Sequence, residues 1–414
     1  MVAHDVEADC YAAISQSSEQ SSIKEVVMTI GKAVPTSHAN CLIQEVVLRH
    51  EPGDMLVATV VSNISETGQF AFHLYRNGGR IHVQDYSPNP VFSFGINGKA
   101  GLYLVLSYLR TPDSTPITKY SNPLFLYPVD YRLGQVFKKP QQEECTLILH
   151  GQYWKFPAVY YAGQEQQPLF VMLSNRINRS LIRLPAFSRC AWAYQKKFPG
   201  HVLCVADPTL ELHEDLGLGW YLGTAEHDAS EDLAMFIRRF AEGLGIPDGK
   251  IIFWGSSGGG FSALALASRI ENTIAVAINA QSDAFAYENA NDIEKVRRHC
   301  FGGKPTKEIQ EQYGSRINMV QAWRNNRSSR VILLQNALDA HHYAYHFTPF
   351  WESLGGSNEG GAAAGGRHYA WLYSDSRGHY APEPEQMIPE IVNLINQESF
   401  TASTVLPKTR AANE

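Results

Sequence analysis

The chain has 414 residues, 44% of them hydrophobic, so a large apolar core is expected and global disorder is excluded. The net charge of -6 at pH 7 and the pI near 6.2 argue against a nucleic-acid-binding protein, which would carry a basic face. No apolar run approaches the roughly 18 residues of a membrane span.

The amino-terminal segment and the cysteines bear on where the chain resides. Residues 1–10 are acidic and lack the apolar stretch of a secretory signal. The six cysteines are dispersed, with no pair at the spacing of a metal site: Cys10, Cys41, Cys145, Cys190, Cys204 and Cys300. Reduced thiols in a cytoplasmic protein are the simplest interpretation. Residues 1–35 are interpreted as an N-terminal segment that is partly flexible.

Residues 36–130 have the pattern of an all-β module. Short strand-like runs recur between turn signals such as Asn77-Gly78-Gly79. The predicted strands cover residues 43–50, 55–62, 69–76, 80–85, 91–94, 102–110 and 123–127. Strands at this spacing are typical of an antiparallel sandwich, so we expect an immunoglobulin-like module here.

From residue 140 to 398 the pattern changes to alternating strands and helices. The first predicted elements are an antiparallel strand pair at 145–150 and 156–161, strands at 169–173 and 202–206, and helices at 187–197 and 231–244. This alternation predicts an α/β domain with a mostly parallel sheet, whose active site lies beyond the carboxyl ends of the strands. We expect a disordered surface loop at 355–366 and a flexible tail at 399–414.

The pentapeptide Gly255-Ser256-Ser257-Gly258-Gly259 follows a buried strand pattern and opens a helix of small residues. A strand, a tight glycine turn and a helix, with serine at the apex, form the context of a nucleophile elbow. Two glycines lie two positions before and after Ser257, so Ser257 is the predicted nucleophile. An ordinary turn could have the same composition, and the assignment therefore depends on a base and an acid further along the chain.

A base and an acid follow Ser257 in the expected order. His379 comes after the last predicted strand, at 368–373, which is a typical position of a catalytic base. Asp339 begins the loop after the buried strand pattern at 330–335, where the acid is expected. The serine hydroxyl needs the imidazole to accept its proton, and the imidazole needs the carboxylate to fix its tautomer.

Other interpretations of these residues stay open. Asp283, which follows the apolar strand at 274–278, competes with Asp339 for the role of the acid. Asp375 is a weaker candidate, because it lies only a few residues from His379. The imidazole of His379 could also simply cap the following helix.

Three histidines, His341, His342 and His346, closely follow Asp339. The last two have the spacing with which one helix face can bind zinc. No acidic residue lies between them and no third ligand is evident, so no metal is expected. His342 is instead expected to support the acid or to contact substrate. No organic cofactor is expected, because a serine, a histidine and an aspartate suffice for acyl transfer.

Acyl transfer also needs two hydrogen-bond donors for the oxyanion. One is expected to be the backbone N–H of Gly258, directly after Ser257. The other should come from the loop after the strand at 169–173, where Asn175 or Arg176 is the candidate. This loop lacks the His-Gly-Gly signature of many esterases.

Two insertions could shape a substrate pocket. The segment 207–224 carries Trp220 and Tyr221, which either line the pocket or pack in the core. Residues 283–323, rich in charge and aromatics, occupy the usual place of a cap. Trp220, Tyr221 and Ser256, beside the predicted nucleophile, are our candidates for contact with substrate.

The residues that carry a resemblance to a known superfamily stand in this order: Gly255-x-Ser257-x-Gly259, Asp339 and Gly378-His379. Over residues 140–398 the chain resembles the α/β-hydrolase superfamily, which implies that fold and a Ser-His-Asp triad. The resemblance leaves the substrate open, because the superfamily hosts many chemistries. A β module followed by a hydrolase domain is also similar to hydrolases associated with bacterial surface-glycan assembly, some of whose relatives transfer acyl groups to sugars.

Three functions are compatible with this interpretation. The leading hypothesis is a serine hydrolase of the carboxylesterase type, acting on a small-molecule or glycan ester through an acyl-serine intermediate. The second is an O-acyltransferase in polysaccharide biosynthesis, with a sugar hydroxyl in place of water. The third is a non-catalytic protein whose β module binds a glycan or a partner. The sequence leaves the oligomeric state open, a homo-oligomer included.

Overall fold

The computed structural model describes residues 43–63, 68–112, 115–133, 143–180, 182–326, 328–381 and 383–400. The N-terminal segment 1–35 lies outside the described residues, as do residues 401–414 of the predicted tail. Phe400, at the start of that tail, is buried, and its ring lies 5.1 Å from that of Tyr369. The folded part of the chain therefore extends into the predicted tail.

The strands of the described residues are β1 Ile43–Glu51, β2 Met55–Ser62, β3 Gln69–Arg76, β4 Gly79–Ser87, β5 Val91–Gly95, β6 Gly101–Arg110, β7 Ile117–Tyr120, β8 Leu124–Leu126, β9 Val129–Arg132, β10 Glu144–His150, β11 Lys155–Tyr161, β12 Leu169–Leu173, β13 His201–Val205, β14 Ile251–Ser256, β15 Ile274–Ile278, β16 Arg330–Asn336, β17 Gly361–Ala362 and β18 Tyr369–Tyr373. The α-helices are α1 Cys190–Tyr194, α2 Ala229–Gly243, α3 Ser257–Arg269, α4 Ala290–Phe301, α5 Thr306–Ile317, α6 Met319–Ala322, α7 Ala340–His342, α8 Thr348–Ser353 and α9 Ile388–Ile395. A π-helical turn at Tyr343–Phe347 joins α7 to α8.

The N-terminal module consists of two antiparallel sheets around a shared apolar core. One sheet has the order β1-β2-β5, and the other has β4-β3-β6-β7, with β8 also paired to β6. In β2 the buried side chains alternate, with Leu56, Ala58 and Val60 pointing inward, as a half-buried strand requires. Phe72 of one sheet stacks on Phe92 of the other, with ring centroids 5.5 Å apart. The antiparallel sandwich is confirmed, and its immunoglobulin-like connectivity stays a prediction.

The second domain is built on a ten-stranded sheet of order β17-β18-β16-β15-β14-β12-β13-β11-β10-β9. Neighbouring strands from β13 through β12, β14, β15 and β16 to β18 are parallel, whereas β11 is antiparallel to both of its neighbours. The central strands are buried along their whole length, because helices cover both faces. The predicted mostly parallel, helix-covered sheet is confirmed.

Alternate residues of each central strand enter different apolar clusters. In β12, Leu169, Val171 and Leu173 belong to the cluster that includes residues of α2 and α3. Phe170 and Met172 belong to the cluster on the other face, which includes residues of α1 and α9. Because side chains alternate between two covered faces, every residue of β12 is apolar, and the strand appears in the sequence as a continuous apolar run.

The stretch 355–366 differs from the expected disordered loop. It contains β17, which pairs with β18 through Gly361 opposite Ala370 and Ala362 opposite Tyr369. The backbone N–H of Ala363, which is buried, donates to the carbonyl of His368 at 2.9 Å. A short antiparallel pairing thus orders a segment that its glycine content alone suggested to be irregular.

The cytoplasmic location stays a prediction. The cysteines at the described positions 145, 190, 204 and 300 are free and buried. Among the residues that the structure describes, no helix is both long enough and apolar enough to cross a membrane.

Candidate active site

The turn that carries Ser257 joins β14 to α3 at the carboxyl edge of the sheet. Ser257 has a φ of 49°, in the left-handed region that serine rarely adopts. A Cβ on Gly255 would lie 2.1 Å from the carbonyl oxygen of Gly259, and a Cβ on Gly259 would lie 2.7 Å from that of Leu173. Glycine is therefore required on both sides, and the sharp turn leaves Ser257 partly exposed between buried neighbours.

His379 and Asp339 meet Ser257 at this edge. His379 lies in the single turn Gly378–Tyr380 after β18, and its Nε2 is 3.0 Å from Ser257 Oγ. Its Nδ1 is 2.8 Å from Oδ2 of Asp339, which follows β16. The serine hydroxyl can donate to Nε2 while Nδ1–H donates to the carboxylate. The three side chains are thus arranged for a proton to pass from the hydroxyl to the imidazole.

Asp339 is held as a carboxylate although its side chain is buried. Burial by itself would raise the pKa of Asp339, but hydrogen bonds from His342 and His379 outweigh burial and hold the pKa well below its usual range. An ionised Asp339 keeps a proton on Nδ1 of His379. The Nε2 of His379 is then free to accept from Ser257.

The two other aspartates considered for the acid lie elsewhere. Asp283 accepts hydrogen bonds from the backbone N–H of Phe285 at 2.8 Å and from the side-chain amide of Asn318 at 2.7 Å. Asp375 pairs with Arg377 at 2.6 Å. Within the part of the chain that the structure describes, the carboxylate in contact with the His379 ring is that of Asp339.

Gln281 belongs to this site and was missed in the sequence analysis. Its side chain is fully buried, and its Nε2 lies 3.0 Å from Ser257 Oγ and 2.9 Å from His342 Nε2. Gln281 lies in a polar run that directly follows β15, the parallel neighbour of β14. That position at the carboxyl edge was the signal in the sequence that could have identified it.

His342 lies against the ring of His379, away from the cavity lined by Ser257. The two rings stack with centroids 3.8 Å apart at an angle of 11°, and His342 Nδ1 is 3.2 Å from Asp339 Oδ1. His342 is fully buried, so it supports Asp339. His346 is also buried, which lowers its pKa to about 2. His341 Nε2 faces a backbone carbonyl oxygen at 3.1 Å.

Two groups of described side chains bring three potential metal ligands within 4.8 Å of one another: Asp339, His342 and His379, and separately His213, Asp215 and His299. Imidazole and carboxylate are both zinc ligands. In the first group, the facing atoms already form the hydrogen bonds described above. In the second group, His213 Nδ1 is 2.7 Å from Asp215 Oδ1.

The residues predicted to form the oxyanion site lie around the nucleophile candidate. Gly258 lies in the first turn of α3, whose backbone N–H groups have no acceptor within the helix. Asn175 and Arg176 follow β12 and line the same cavity as the serine. Their side chains are engaged by neighbours, since Asn175 Nδ2 donates to Ser256 Oγ at 2.9 Å and Arg176 Nε to Asp292 Oδ2 at 2.6 Å.

A cavity of about 400 Å³ opens beside Ser257. Most of its wall is polar, and the charged and amide side chains are Asn175, Arg176, Asn279, Glu288, Asn289 and Glu383. Two tyrosines, Tyr287 and Tyr380, also line it. The cavity therefore presents hydrogen-bonding groups to a molecule bound next to the serine.

Of the candidate substrate-binding residues, Ser256 lines this cavity, whereas Trp220 and Tyr221 lie in the core. Trp220 is 1% exposed, and its indole Nε1 donates to Gln281 Oε1 at 3.2 Å. Tyr221 is fully buried, and its hydroxyl donates to the carbonyl of Val205 at 2.6 Å. Both aromatic side chains are therefore packed in the core beneath the site.

Comparisons with known proteins give weak similarities, all to solved structures. No protein-family model and no curated protein matches the sequence. The capsule O-acetyltransferase of Neisseria meningitidis serogroup A is 13% identical, with a TM-score of 0.46 over 61% of this chain and 94% of its own. Prolyl oligopeptidase B from Galerina marginata is 10% identical, with a TM-score of 0.47 over 87% and 51%. An esterase from Pyrobaculum calidifontis is 16% identical, with a TM-score of 0.42 over 62% and 85%.

The strand order of the chain itself defines the class of the large domain. Its sheet is parallel from β13 to β18, with the reversed strand β11 beside β10, and helices cover both faces. A glycine-flanked serine lies between a central strand and the following helix. This is an α/β-hydrolase-type fold, as the sequence motifs implied. The chain thus joins an N-terminal β-sandwich to an α/β-hydrolase-type domain.

Proposed function

We propose that this protein is a serine hydrolase that cleaves carboxylic esters. The observation that carries the proposal is the contact between Ser257 Oγ and His379 Nε2 at 3.0 Å, beside a cavity. The other nitrogen of the same ring, Nδ1, lies 2.8 Å from Asp339 Oδ2. A serine hydroxyl becomes a nucleophile at neutral pH when a neighbouring imidazole accepts its proton. Ser257 is the nucleophile, His379 the general base, and Asp339 the group that orients His379.

In the acylation step, Ser257 Oγ forms a bond to the ester carbonyl carbon while its proton moves to His379 Nε2. The carbonyl oxygen becomes an oxyanion in the tetrahedral intermediate. His379 then gives the proton to the leaving alkoxide oxygen as the carbon–oxygen bond breaks. The alcohol departs, and the acyl group stays on Ser257.

In the deacylation step, water attacks the acyl carbon and gives a proton to His379. The second tetrahedral intermediate collapses, the proton returns to Ser257 Oγ, and the carboxylic acid leaves. Asp339 stays ionised throughout and stabilises the imidazolium that forms twice in the cycle.

The oxyanion needs donors on the side of Ser257 opposite His379. The backbone N–H of Gly258 is one, since the first turn of α3 leaves it without an intrahelical acceptor. The backbone of Asn175, in the adjoining loop after β12, is the second candidate donor. We favour this backbone donor over the side chains, because Asn175 Nδ2 and Arg176 Nε already donate to Ser256 and Asp292.

The polar wall of the cavity favours a second reaction on the same residues, which is acyl transfer to a sugar hydroxyl. Glu288, Asn289 and Arg176 present carboxylate, amide and guanidinium groups at the cavity. Such groups pair well with the hydroxyls of a polyhydroxylated alcohol, whereas a long acyl chain would find little apolar surface there. The same wall therefore suits an ester of a polar alcohol or a sugar acceptor.

The first test is labelling with a fluorophosphonate probe, comparing wild type with Ser257→Ala and His379→Ala. We expect rapid labelling of wild type, none of Ser257→Ala, and a loss of at least about a thousandfold in the labelling rate of His379→Ala. Melting temperatures establish that each variant is folded. If folded wild type did not react, the proposed chemistry would be wrong, and the binding-protein hypothesis would take its place.

The second test separates water from a sugar as acceptor. A short-chain p-nitrophenyl ester is turned over with and without a panel of mono- and oligosaccharides, and the acylated sugar and the free acid are both measured. Free acid alone supports the hydrolase. Acylated sugar at the expense of free acid, absent with Ser257→Ala, supports the transferase.

A further inference from the structure

Gln281 is fixed with its amide nitrogen toward the nucleophile. An indole N–H can only donate, so the Trp220 contact at 3.2 Å identifies the facing atom of Gln281 as its carbonyl oxygen. The amide NH₂ must then face Ser257 Oγ at 3.0 Å and His342 Nε2 at 2.9 Å. Its two hydrogens serve these two acceptors.

The orientation of Gln281 determines the position of each proton in a closed ring of hydrogen bonds. His342 Nε2 accepts from Gln281, so the proton of His342 lies on Nδ1 and is donated to Asp339 Oδ1. This requires a neutral His342, and burial does lower the pKa of that imidazole. The other oxygen of Asp339 accepts from His379, which accepts from Ser257. Each donor in the ring meets an acceptor.

We infer that Gln281 is a further catalytic residue, which donates a hydrogen bond to the nucleophilic oxygen Ser257 Oγ. The inference rests on the proposed acyl-serine chemistry. Oγ gains negative charge as its proton moves to His379, and again when it leaves the second tetrahedral intermediate. A fixed N–H aimed at that oxygen stabilises both stages without reorganisation. It also occupies one lone pair of Oγ and so directs the hydroxyl hydrogen toward His379.

The surroundings of Gln281 make this contact rigid. The side chain is fully buried, and Trp220, which holds its oxygen, is 1% exposed. His342, which accepts its second hydrogen, is itself held by Asp339 and by the ring of His379. A merely structural glutamine would satisfy its neighbours equally well, so the test must report on the reactivity of Ser257 Oγ.

Two substitutions isolate the donor. Gln281→Met keeps the volume and removes both hydrogens. Gln281→Glu keeps an acceptor for Trp220 and removes the donor at pH values where the new carboxyl group is ionised. Gln335→Met is the matched control, because Gln335 is also buried at the carboxyl end of a strand and donates to the backbone carbonyl of Asn336 at 2.9 Å.

The measured quantity is the second-order rate constant of fluorophosphonate labelling, with the melting temperature of each variant. We expect Gln281→Met to lose about ten- to hundredfold in rate and Gln335→Met to stay within about threefold of wild type. The labelling rate constant of Gln281→Glu, divided by that of wild type at the same pH, should rise as the pH falls, because a protonated carboxyl group can donate again.

The outcomes separate this inference from the proposed function. If wild type labels and folded Gln281→Met labels within about threefold of it, Gln281 is not catalytic and the acyl-serine chemistry stands. A pH-independent Gln281→Glu ratio would equally overturn the role of Gln281. If folded wild type fails to label, the proposed function itself is wrong.

Discussion

Ser257 holds a backbone conformation that its surroundings must enforce. A non-glycine residue at a φ of 49° stores strain of order 1–3 kcal/mol. The fully buried strand β14 before it and the mostly buried helix α3 after it over-determine the turn. The glycines on either side let the strand and helix approach closely enough to do so.

The glycine requirement at position 255 is testable. We expect Gly255→Ala to destabilise the protein by about 3 kcal/mol or more, because its Cβ would lie 2.1 Å from the immobile carbonyl oxygen of Gly259. Urea denaturation measures the loss, and fluorophosphonate labelling measures the accompanying loss of Ser257 reactivity. Gly249→Ala is the control, since its nearest neighbour would lie at 3.9 Å. Equal stabilities of the two variants would contradict the steric argument.

At the residue scale, the sequence predicted the side chains whose position follows from chain order. Ser257, Asp339 and His379 each follow a strand of a parallel sheet, and such strand ends meet at one edge. Gln281 also follows such a strand, but its amide has no motif of its own. Trp220 was ambiguous because an aromatic side chain can line a pocket or fill a core, and only the packing of the whole domain decides which.

At the scale of elements, Arg189 connects three segments that form the site. Its guanidinium donates to the carbonyl of Leu173 at the end of β12, at 3.2 Å, and to Ser256 Oγ in the elbow, at 3.0 Å. It also pairs with Glu383 in the segment after His379. The side chains of Arg189 and Glu383 are 4% and 6% exposed. A single buried ion pair therefore holds together the turn that carries Ser257, the end of β12 and the segment that follows His379.

Removing one charge of this pair should be costly. We expect Glu383→Gln to lower the free energy of unfolding by about 3 kcal/mol, because it leaves a buried guanidinium without its counter-charge. The control is Glu385→Gln, whose partner Lys197 is about one-third exposed, as is Glu385 itself. That surface pair should contribute less than about 1 kcal/mol. Urea denaturation of both variants measures the difference, and similar losses would show that burial of the pair is unimportant.

The same arginine explains why one element was mispredicted. The sequence pattern predicts a helix over 187–197, but α1 covers only Cys190–Tyr194. Arg189 has a φ of 63°, so the helix cannot begin before it. That conformation accompanies the tertiary contact to Glu383, which local sequence cannot reveal. By contrast, the predicted helix at 231–244 agrees with α2, Ala229–Gly243, to within two residues at each end, and the Asp228 side chain caps it by accepting from the N–H groups of Ser230 and Glu231.

At the scale of the whole molecule, buried neutral histidines link stability to pH. Burial lowers the pKa of His368 to about 4, with the charges of Arg367 and Arg330 acting in the same direction. The unfolded chain takes up a proton at about pH 6.5, whereas the folded chain does so only near the lower value. The contribution of His368 to stability is therefore complete above pH 6.5 and is lost as the pH falls toward 4.

A variant comparison isolates this contribution from all other titrating groups. We expect the free energy of unfolding of wild type, relative to His368→Gln, to fall by about 2 kcal/mol between pH 7.5 and pH 5. Urea denaturation at several pH values measures it. His82→Gln, at an exposed histidine, is the matched control. A wild-type-to-variant difference that is constant with pH would show that His368 is not kept neutral by burial.

The architecture was predictable where periodicity is strong and less so where pairing is distant. The central strands of the large sheet and the long strands of the sandwich read directly from apolar runs and alternation. The short strands β7, β9 and β17 were not predicted, since each has few residues and depends on a partner from elsewhere in the chain. The predicted sandwich boundary at 130 falls within β9, Val129–Arg132.

Strand β9 has a consequence for dissecting the protein. It follows the sandwich in the chain and is hydrogen-bonded in parallel to β10 as the outermost strand of the large sheet. A fragment starting at residue 140 would bare the backbone donors and acceptors of β10, and unpaired strand edges recruit other chains. Strand β9 thus covers the edge of β10 that would otherwise be open to pairing with another chain. The natural cutting point for a minimal enzyme lies before β9 rather than after it.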